Sequence, residues 1–595
     1  MNVLFLLIAA LACLVAAYRF YARYLARHLG EDPERVTPAT EKNDGVDFVP
    51  TRTPVLFAHH YATIAGAGPI IGPTLGIIYG VGPAWLWIVI GGIFFGAVHD
   101  FSALFASIRE KGNSMAEIAR KALGETGFLL FIVFTGIMLI LVTSAFLSLA
   151  AVSLTSVWPI DKLGLSPDQT LLQTRVEQGE TVGVIGGIAS TSVIIITLIS
   201  PILGLLIFKK SLRTSLSFIL AALVCVGSIY VGFTHPVTIP GFIWMVIISL
   251  YVLVAAGLPV WLILQPRDFI NVQILYAGLG VIMISLVVAG LKGTTTAMPM
   301  FALSAGQAQL GPVWPMLFII IACGAISGFH ALVAGGTSSK QLALETDAKK
   351  VGYGAMILES VLAIMVVLAI ASSLKLSDYR AITWPAVGTG NPILAYALAV
   401  GYLVENSLNL PAVLGAIVGI LMVEGFVVTT LDSAVRLNRY IFEELWKRVF
   451  TRVPRLLARY WFNSALSVVL MFALAVSNGY RLIWPVFGAS NQLLAALTLI
   501  AITVWLNLAG RKSWFTMIPA VIMVITTMAA LVYYLYETAL KAMAAYLLAG
   551  NVPYGIVVLI LTDLLLLALS VGVIFLSVKK TAPTSEFRQA AVISS

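Results

Sequence analysis

The chain has 595 residues, 60% of them hydrophobic and 11% charged, against about 45–50% and 25% in soluble domains. That balance excludes a soluble enzyme. The apolar residues fall in runs of about 20, the length a helix needs to cross a bilayer core about 30 Å thick. The runs are continuous rather than alternating, which excludes a membrane barrel, so an all-α polytopic membrane protein is expected.

Fifteen spans can be drawn in chain order, at about 3–18, 57–82, 83–108, 127–157, 184–208, 214–234, 240–264, 270–291, 313–335, 351–374, 411–435, 460–478, 485–507, 514–536 and 554–578. They form a single transmembrane domain over residues 1–580, with a core at about 50–440 and additional helices at about 460–578. A disordered cytoplasmic tail at 581–595 is expected to follow. No basic residue precedes the first run, and Arg19, Arg23 and Arg27 follow it, so it reads as a retained span and not a signal peptide. Residues 19–56 mix both charges with Pro33 and Pro38, which predicts an irregular loop. Residues 436–459 have helical spacing and are expected to lie along the membrane surface.

The 36 basic residues divide sharply between alternate connections. One set of loops holds 29 of them, among them Arg19, Lys42, Arg109, Lys111, Arg267, Lys340, Arg436, Arg448 and Arg511; the other holds Lys162, Arg175, Lys292, Lys375, Arg380, Arg481 and Lys541. A missed or invented crossing would mix the two sets. The positive-inside rule places the first set in the cytoplasm, the N-terminus outside and the C-terminus inside. The net charge of +9 is therefore an orientation signal toward the lipid bilayer, and no nucleic acid partner is expected. Cys13, Cys225 and Cys323 lie in apolar runs and form no disulfide framework.

The second span carries Gly66, Gly68, Pro69, Gly72, Pro73 and Gly76 within a dozen residues. Two prolines remove backbone donors, which predicts a discontinuous helix lining a site at membrane depth; close packing through small residues is the alternative. A second broken segment is expected at 326–339, with Ser327 and His330, and a third candidate at 485–492, with Asn491 and Gln492. Spans two and nine cross in opposite directions, as an inverted repeat demands.

Asp100, Glu359, Glu424, Asp432 and Asp563 fall inside spans, where a charged carboxylate is costly. All but Asp563, together with His59, His60, His99 and His330, place titratable groups from five spans on one side, the composition of a proton relay. His99, Asp100, Glu359, Glu424 and Asp432 are the proton-coupling candidates. Gly66, Gly68, Pro69, Gly72, Ser327, His330, Asn491 and Gln492 are the substrate-binding candidates. Blander roles are open for some: His59 and His60 fit an interface, Asp563 a packing hydrogen bond, and Asp432 an intrahelical pair with Arg436. His and carboxylate suit zinc or iron, but no His spacing of three or four recurs on one helix, so no metal and no cofactor is expected. No nucleotide, nucleophile or metalloprotease motif occurs, so no enzymatic activity is expected.

Several of these segments resemble the carbon starvation protein A family: Gly66 to Pro73, Gly96-Ala97-Val98-His99-Asp100-Phe101, Gln265-Pro266-Arg267-Asp268-Phe269-Ile270-Asn271, Ser327 to Leu332, Val423-Glu424-Gly425-Phe426 with Thr429 to Asp432, and Gly488 to Gln492. The resemblance implies a bacterial inner-membrane uptake carrier, with members that transport peptides and others that couple pyruvate to protons. It also implies a grouping with the amino acid–polyamine–organocation carriers, whose broken helices form an inverted repeat. A seven-span offset does not fit a simple five-plus-five repeat. The expected function is proton symport of a carboxylate-bearing nutrient by alternating access. The rival is an energy-converting or sensory subunit, which the absence of intramembrane lysines disfavours.

Overall fold

The computed structural model describes all residues except 46–47, 164–171, 178, 210–211, 260, 386–389 and 582–595. Lys210 and the tail from residue 582 onward thus lie outside the described residues. Besides the short helices Pro38–Glu41 and Leu303–Leu310, the helices in chain order are α1 (Val3–Leu29), the half-helices α2 (Thr53–Ala65) and α3 (Gly68–Gly76), α4 (Val81–Arg109), α5 (Met115–Leu154), α6 (Gly186–Ile207), α7 (Ser215–Thr234), α8 (Gly241–Ala255) and α9 (Leu264–Leu291). They continue with the half-helices α10 (Val313–Ile320) and α11 (Gly328–Gly336), then α12 (Lys349–Ser373), α13 (Leu376–Thr383), α14 (Pro392–Leu408), α15 (Ala412–Val449), α16 (Tyr460–Leu508), α17 (Trp514–Ala549) and α18 (Tyr554–Thr581). Among the described residues, 13 helical stretches are long and apolar enough to cross a membrane. The chain is a multi-pass α-helical membrane protein.

The structure departs from the expectations in five places, the first being that α1 runs on to Leu29 through the start of the irregular loop expected at 19–56. The segment after α5 forms a small antiparallel sheet of β1 (Val157–Pro159), β2 (Thr174–Glu177) and β3 (Glu180–Val184), in the order β1-β3-β2. Residues 436–449 continue α15 without a break, and their first turns are buried, so they form no separate surface helix. Residues 485–492 are unbroken helix, with Pro485 in the first turn of Ile483–Leu508, the second of the two membrane-length stretches that α16 comprises. Finally, α14 is a helix that the fifteen spans omit.

The omission of α14 has a geometric reason. Its last turn lies at the end of α9, where the Lys292 amine donates to the Ser407 carbonyl at 2.8 Å. Its first turns lie deeper, with Ala397 packed on Gly419, two turns into α15, and Asn391 just ahead of it reaches Ser156 Oγ beyond the end of α5 at 3.2 Å. The helix runs antiparallel to the first turns of α15, with Gly401 against Ala412 and Ala397 against Gly419. The end of α12 lies on the same face as Lys292, where Ala297 N–H donates to the Ala371 carbonyl at 2.6 Å. The excursion through α13 and α14 therefore leaves and returns to one face, and leaves the sidedness of every later loop unchanged.

The two sets of loops found from charge do lie apart. On one face Lys42 donates to the Lys111 carbonyl at 2.8 Å, Arg109 pairs with Glu345 at 2.7 Å, Arg448 pairs with Glu125 at 2.8 Å, and Arg511 reaches the Leu29 carbonyl. On the other, Thr296 N–H bonds the Met1 carbonyl at 3.0 Å and Tyr402 bonds the Lys162 carbonyl at 2.7 Å.

At the centre the two broken helices cross in opposite directions. Tyr79, just beyond α3, donates to the Gly311 carbonyl ahead of α10 at 2.8 Å, while at the other end His60 shares a 2.7 Å hydrogen bond with Ser338 beyond α11. The first break is at Gly66, whose φ of 42° lies where only glycine is unstrained. The second is the unwound stretch 321–327, which begins ahead of the segment expected from sequence. The breaks meet with almost no side chain between them: a Cβ on Gly68 would stand 2.4 Å from Cys323 Sγ, and one on Gly72 2.8 Å from the Ile320 carbonyl oxygen. Because backbone cannot retreat as a flexible side chain can, Gly72→Ala is expected to lower stability by about 1–3 kcal/mol, read as a lower melting temperature of the detergent-solubilised protein.

Candidate functional site

The crossing brings together four of the predicted residues. Asp100, on α4, accepts from His99 Nδ1 with one oxygen and from His330 Nδ1, on α11, with the other, both at 2.7 Å. The opposite nitrogen of His330, Nε2, stands 3.4 Å from Glu359 on α12. All four are fully buried. The chain His99–Asp100–His330–Glu359 thus links three elements, and neither Glu359 oxygen has a hydrogen-bond partner among the described residues.

Asn491 on α16 serves the break itself. A half-helix starting inside a membrane exposes amides that water cannot satisfy, and the Asn491 side-chain oxygen accepts from Phe329 N–H at 2.9 Å. Its amide nitrogen donates to Ser327 Oγ at 3.0 Å and approaches Cys323 Sγ at 3.7 Å. Gln492 points elsewhere and donates to the Phe318 carbonyl at 2.5 Å. Gly66 packs beside Thr430 of α15. Gly68 and Pro69 open α3, so the N-terminal ends of α3 and α11 face one buried region, where their dipoles favour negative charge.

Asp432 belongs to a different cluster and does not pair with Arg436. It accepts from Arg267 Nη1 at 2.6 Å and from Tyr251 at 2.9 Å, and Arg267 also donates to Thr429 at 3.0 Å. Arg436 instead caps the carbonyls of Ala255 and Leu258. Arg267 was counted as a loop charge because the apolar run starts at Ile270, but α9 begins at Leu264 and buries it. The signal that could have found it is the Gln265 to Asn271 motif. Next to it, Asp268 binds His59 at 3.0 Å, and His59 and His60 are both buried within the protein.

Glu424 stands apart on α15. It faces the Ser153 hydroxyl without closing a hydrogen bond of good geometry. Asp563 on α18 is buried and has no hydrogen-bond partner among the described residues, so the packing bond expected of it is not formed.

Two cavities approach the crossing from opposite faces. One of about 440 Å³ is lined by Leu75 of α3, Ile320 of α10, Trp384 and Trp484. The other, about 300 Å³, lies on the lysine-rich face and is lined by Phe48, Lys111, Lys340, and Leu332 and Gly335 of α11. Along the second broken helix the buried cluster lies between them, from Cys323 to His330. For a metal, the donors that converge are Cys323, His330 and Glu359, whose ligating atoms lie within 4.8 Å of one another.

The buried Arg267–Asp432 pair makes a stability prediction. Asp432→Asn leaves a guanidinium buried without its counter-charge and is expected to destabilise by about 3–5 kcal/mol, whereas Arg267→Met with Asp432→Leu restores most of that loss. Thermal melts of the purified variants check both.

Comparison with known proteins gives these residues a family. The family description "Carbon starvation protein CstA" matches residues 2–392 and 387–530. "Peptide transporter CstA" of Campylobacter jejuni subsp. jejuni serotype O:2 is 30% identical over 587 residues, covering 89% of this chain and 79% of that one. "Pyruvate/proton symporter BtsT" of Escherichia coli K12 is 30% identical over 623 residues, covering 90% and 82%. "Peptide transporter CstA" of Bacillus subtilis 168 is 29% identical over 612 residues, covering 96% of each chain. The chain belongs to the carbon starvation protein CstA family.

Proposed function

We propose that this protein is a secondary active transporter that imports a small carboxylate-bearing nutrient, a short peptide or pyruvate, together with protons. The observation that carries this reading is the antiparallel crossing of two broken helices between cavities on opposite faces. Half-helix N-termini in such a crossing suit a substrate carboxylate, and rocking around the crossing would open each cavity in turn. Relatives named as peptide transporters and as a pyruvate/proton symporter support both the substrate class and the coupling ion.

The lysine-rich face is assigned to the cytoplasm by the positive-inside rule, which puts the N-terminus outside, and the family resemblance points to a bacterial inner membrane. Backbone amides at Gly66 and Gly68 and the Asn491 side chain are the assigned substrate contacts. Glu424 is assigned the coupling proton. It is buried without a counter-charge in hydrogen-bond range, and protonation removes the penalty of a naked carboxylate in the membrane.

Proteoliposomes with an imposed pH gradient test the reading with labelled pyruvate and then a labelled tripeptide. Accumulation of either is expected, and the absence of gradient-driven uptake of both contradicts it. Glu424→Gln is expected to reduce gradient-driven uptake by about tenfold, an effect of about 1.4 kcal/mol, while counterflow exchange is retained. Equal loss of both modes assigns Glu424 to binding or folding instead.

A further inference from the structure

We infer that Cys323, His330 and Glu359 form a binding site for a borderline divalent cation of the zinc, cobalt or iron(II) class at the crossing of the broken helices. The inference rests on the geometry of the cluster and is independent of the transport reading.

Three observations converge on it. First, the donors come from three different elements, the unwound stretch, α11 and α12, and their ligating atoms lie within 4.8 Å of one another. Bonds of about 2.0–2.3 Å to nitrogen, oxygen and sulfur set tetrahedral donors about 3.3–3.8 Å apart. His330 Nε2 and Glu359 Oε2 are already at 3.4 Å, so closing the shell needs about an ångström of movement, which the unwound backbone at Cys323 can supply.

Second, the atoms that face one another are the ones without partners. His330 Nε2 and both Glu359 oxygens make no hydrogen bond among the described residues, although both side chains are fully buried. Buried polar atoms are rarely left so, and here several orphans share one point in space. A cation satisfies them together.

Third, the cluster has the supporting bonds that a metal-binding histidine uses. The Nδ1 of His330 is fixed by Asp100 at 2.7 Å, and Asp100 is fixed in turn by His99 at 2.7 Å. A carboxylate on the far nitrogen sets the ring's tautomer and presents Nε2 to the ion. On the sulfur side, Ser327 and Asn491 each lie 3.7 Å from Cys323 Sγ, placed to donate to a thiolate.

Charge and softness narrow the ion. One thiolate, one imidazole and one carboxylate disfavour magnesium and calcium and suit zinc and its neighbours. Binding releases the Cys323 thiol proton. Three protein ligands leave a fourth position open, the arrangement of sites that accept an exogenous ligand. A substrate carboxylate at the N-termini of α3 and α11 would be of the right charge to fill it.

The test uses the full chain purified in detergent without chelator, with cobalt(II) as the optical probe and elemental analysis for zinc, iron and cobalt. About one ion per chain is expected, with a thiolate-to-cobalt charge-transfer band that Cys323→Ser abolishes. Glu359→Gln, which keeps the side-chain shape, is expected to lose the ion while folding normally. Asp100→Asn is expected to keep the band but weaken cobalt affinity by about 10–100-fold, as a positioning residue should. Wild-type protein that folds yet holds no ion and gives no band overturns the proposal. So does an ion whose stoichiometry is unchanged by Cys323→Ser and Glu359→Gln, which is an adventitious ion only. Because no uptake is measured, a failed transport assay leaves this outcome unaffected.

Discussion

The structure depends on one constraint: two interrupted helices must pass each other in hydrocarbon with their backbones nearly in contact. Gly68 and Gly72 make the approach possible because any Cβ there would meet Cys323 or the Ile320 and Ile321 backbone. The interruption exposes amides that lipid cannot satisfy, so a third element has to supply acceptors. Asn491 does this for the start of α11. Small residues, unwound backbone and a capping amide therefore occur together for one physical reason. The same lack of bulk lets Cys323, His330 and Glu359 approach one another, so the packing device and the chemical cluster are one feature.

Charge inside the protein follows a second rule, local neutrality. Arg267 is matched by Asp432 and the hydroxyls of Tyr251 and Thr429. His59 is matched by Asp268, and Asp100 accepts from two imidazoles. Such pairs tie α8, α9 and α15, α2 and α9, and α4 and α11 together without leaving an uncompensated ion. Three carboxyls stand outside this pattern: Glu359, Glu424 and Asp563 have no hydrogen-bond partner among the described residues. Two of them border the crossing or line up along α15 beside it. The third is on α18, outside the core, and nothing in its surroundings assigns it a role.

Much of the fold was legible because its signals are local. Apolar runs, the Gly66 to Pro73 break and the division of basic residues between loops each depend on a few neighbouring residues or on a sum over loops. Fifteen spans were drawn where 13 helical stretches among the described residues are long and apolar enough to cross, and α14 escaped because an excursion that returns to its own face leaves charge parity untouched. The second break was placed too late, since residues 321–327 are mostly apolar and carry only Gly324 as a marker. Four of the clustered residues, His99, Asp100, His330 and Glu359, were singled out one by one from the sequence, but their pairing was not. Sequence spacing offered Asp432 the partner four residues on, whereas the structure supplies Arg267 from 165 residues away. Cys323, silent in a reading that looked for paired cysteines, became visible only when the unwound stretch set it against Glu359 and His330.

The central claim is that this crossing is the pivot between two alternately open cavities. The most direct measurement is the rate at which an impermeant thiol reagent labels single cysteines placed at Gln309 in the first cavity and at Tyr440 in the second, in membranes of known sidedness, with and without substrate at acidic outside pH. The account predicts opposite changes, one site labelled faster as the other slows. Parallel changes at both sites, or none at either, would contradict it.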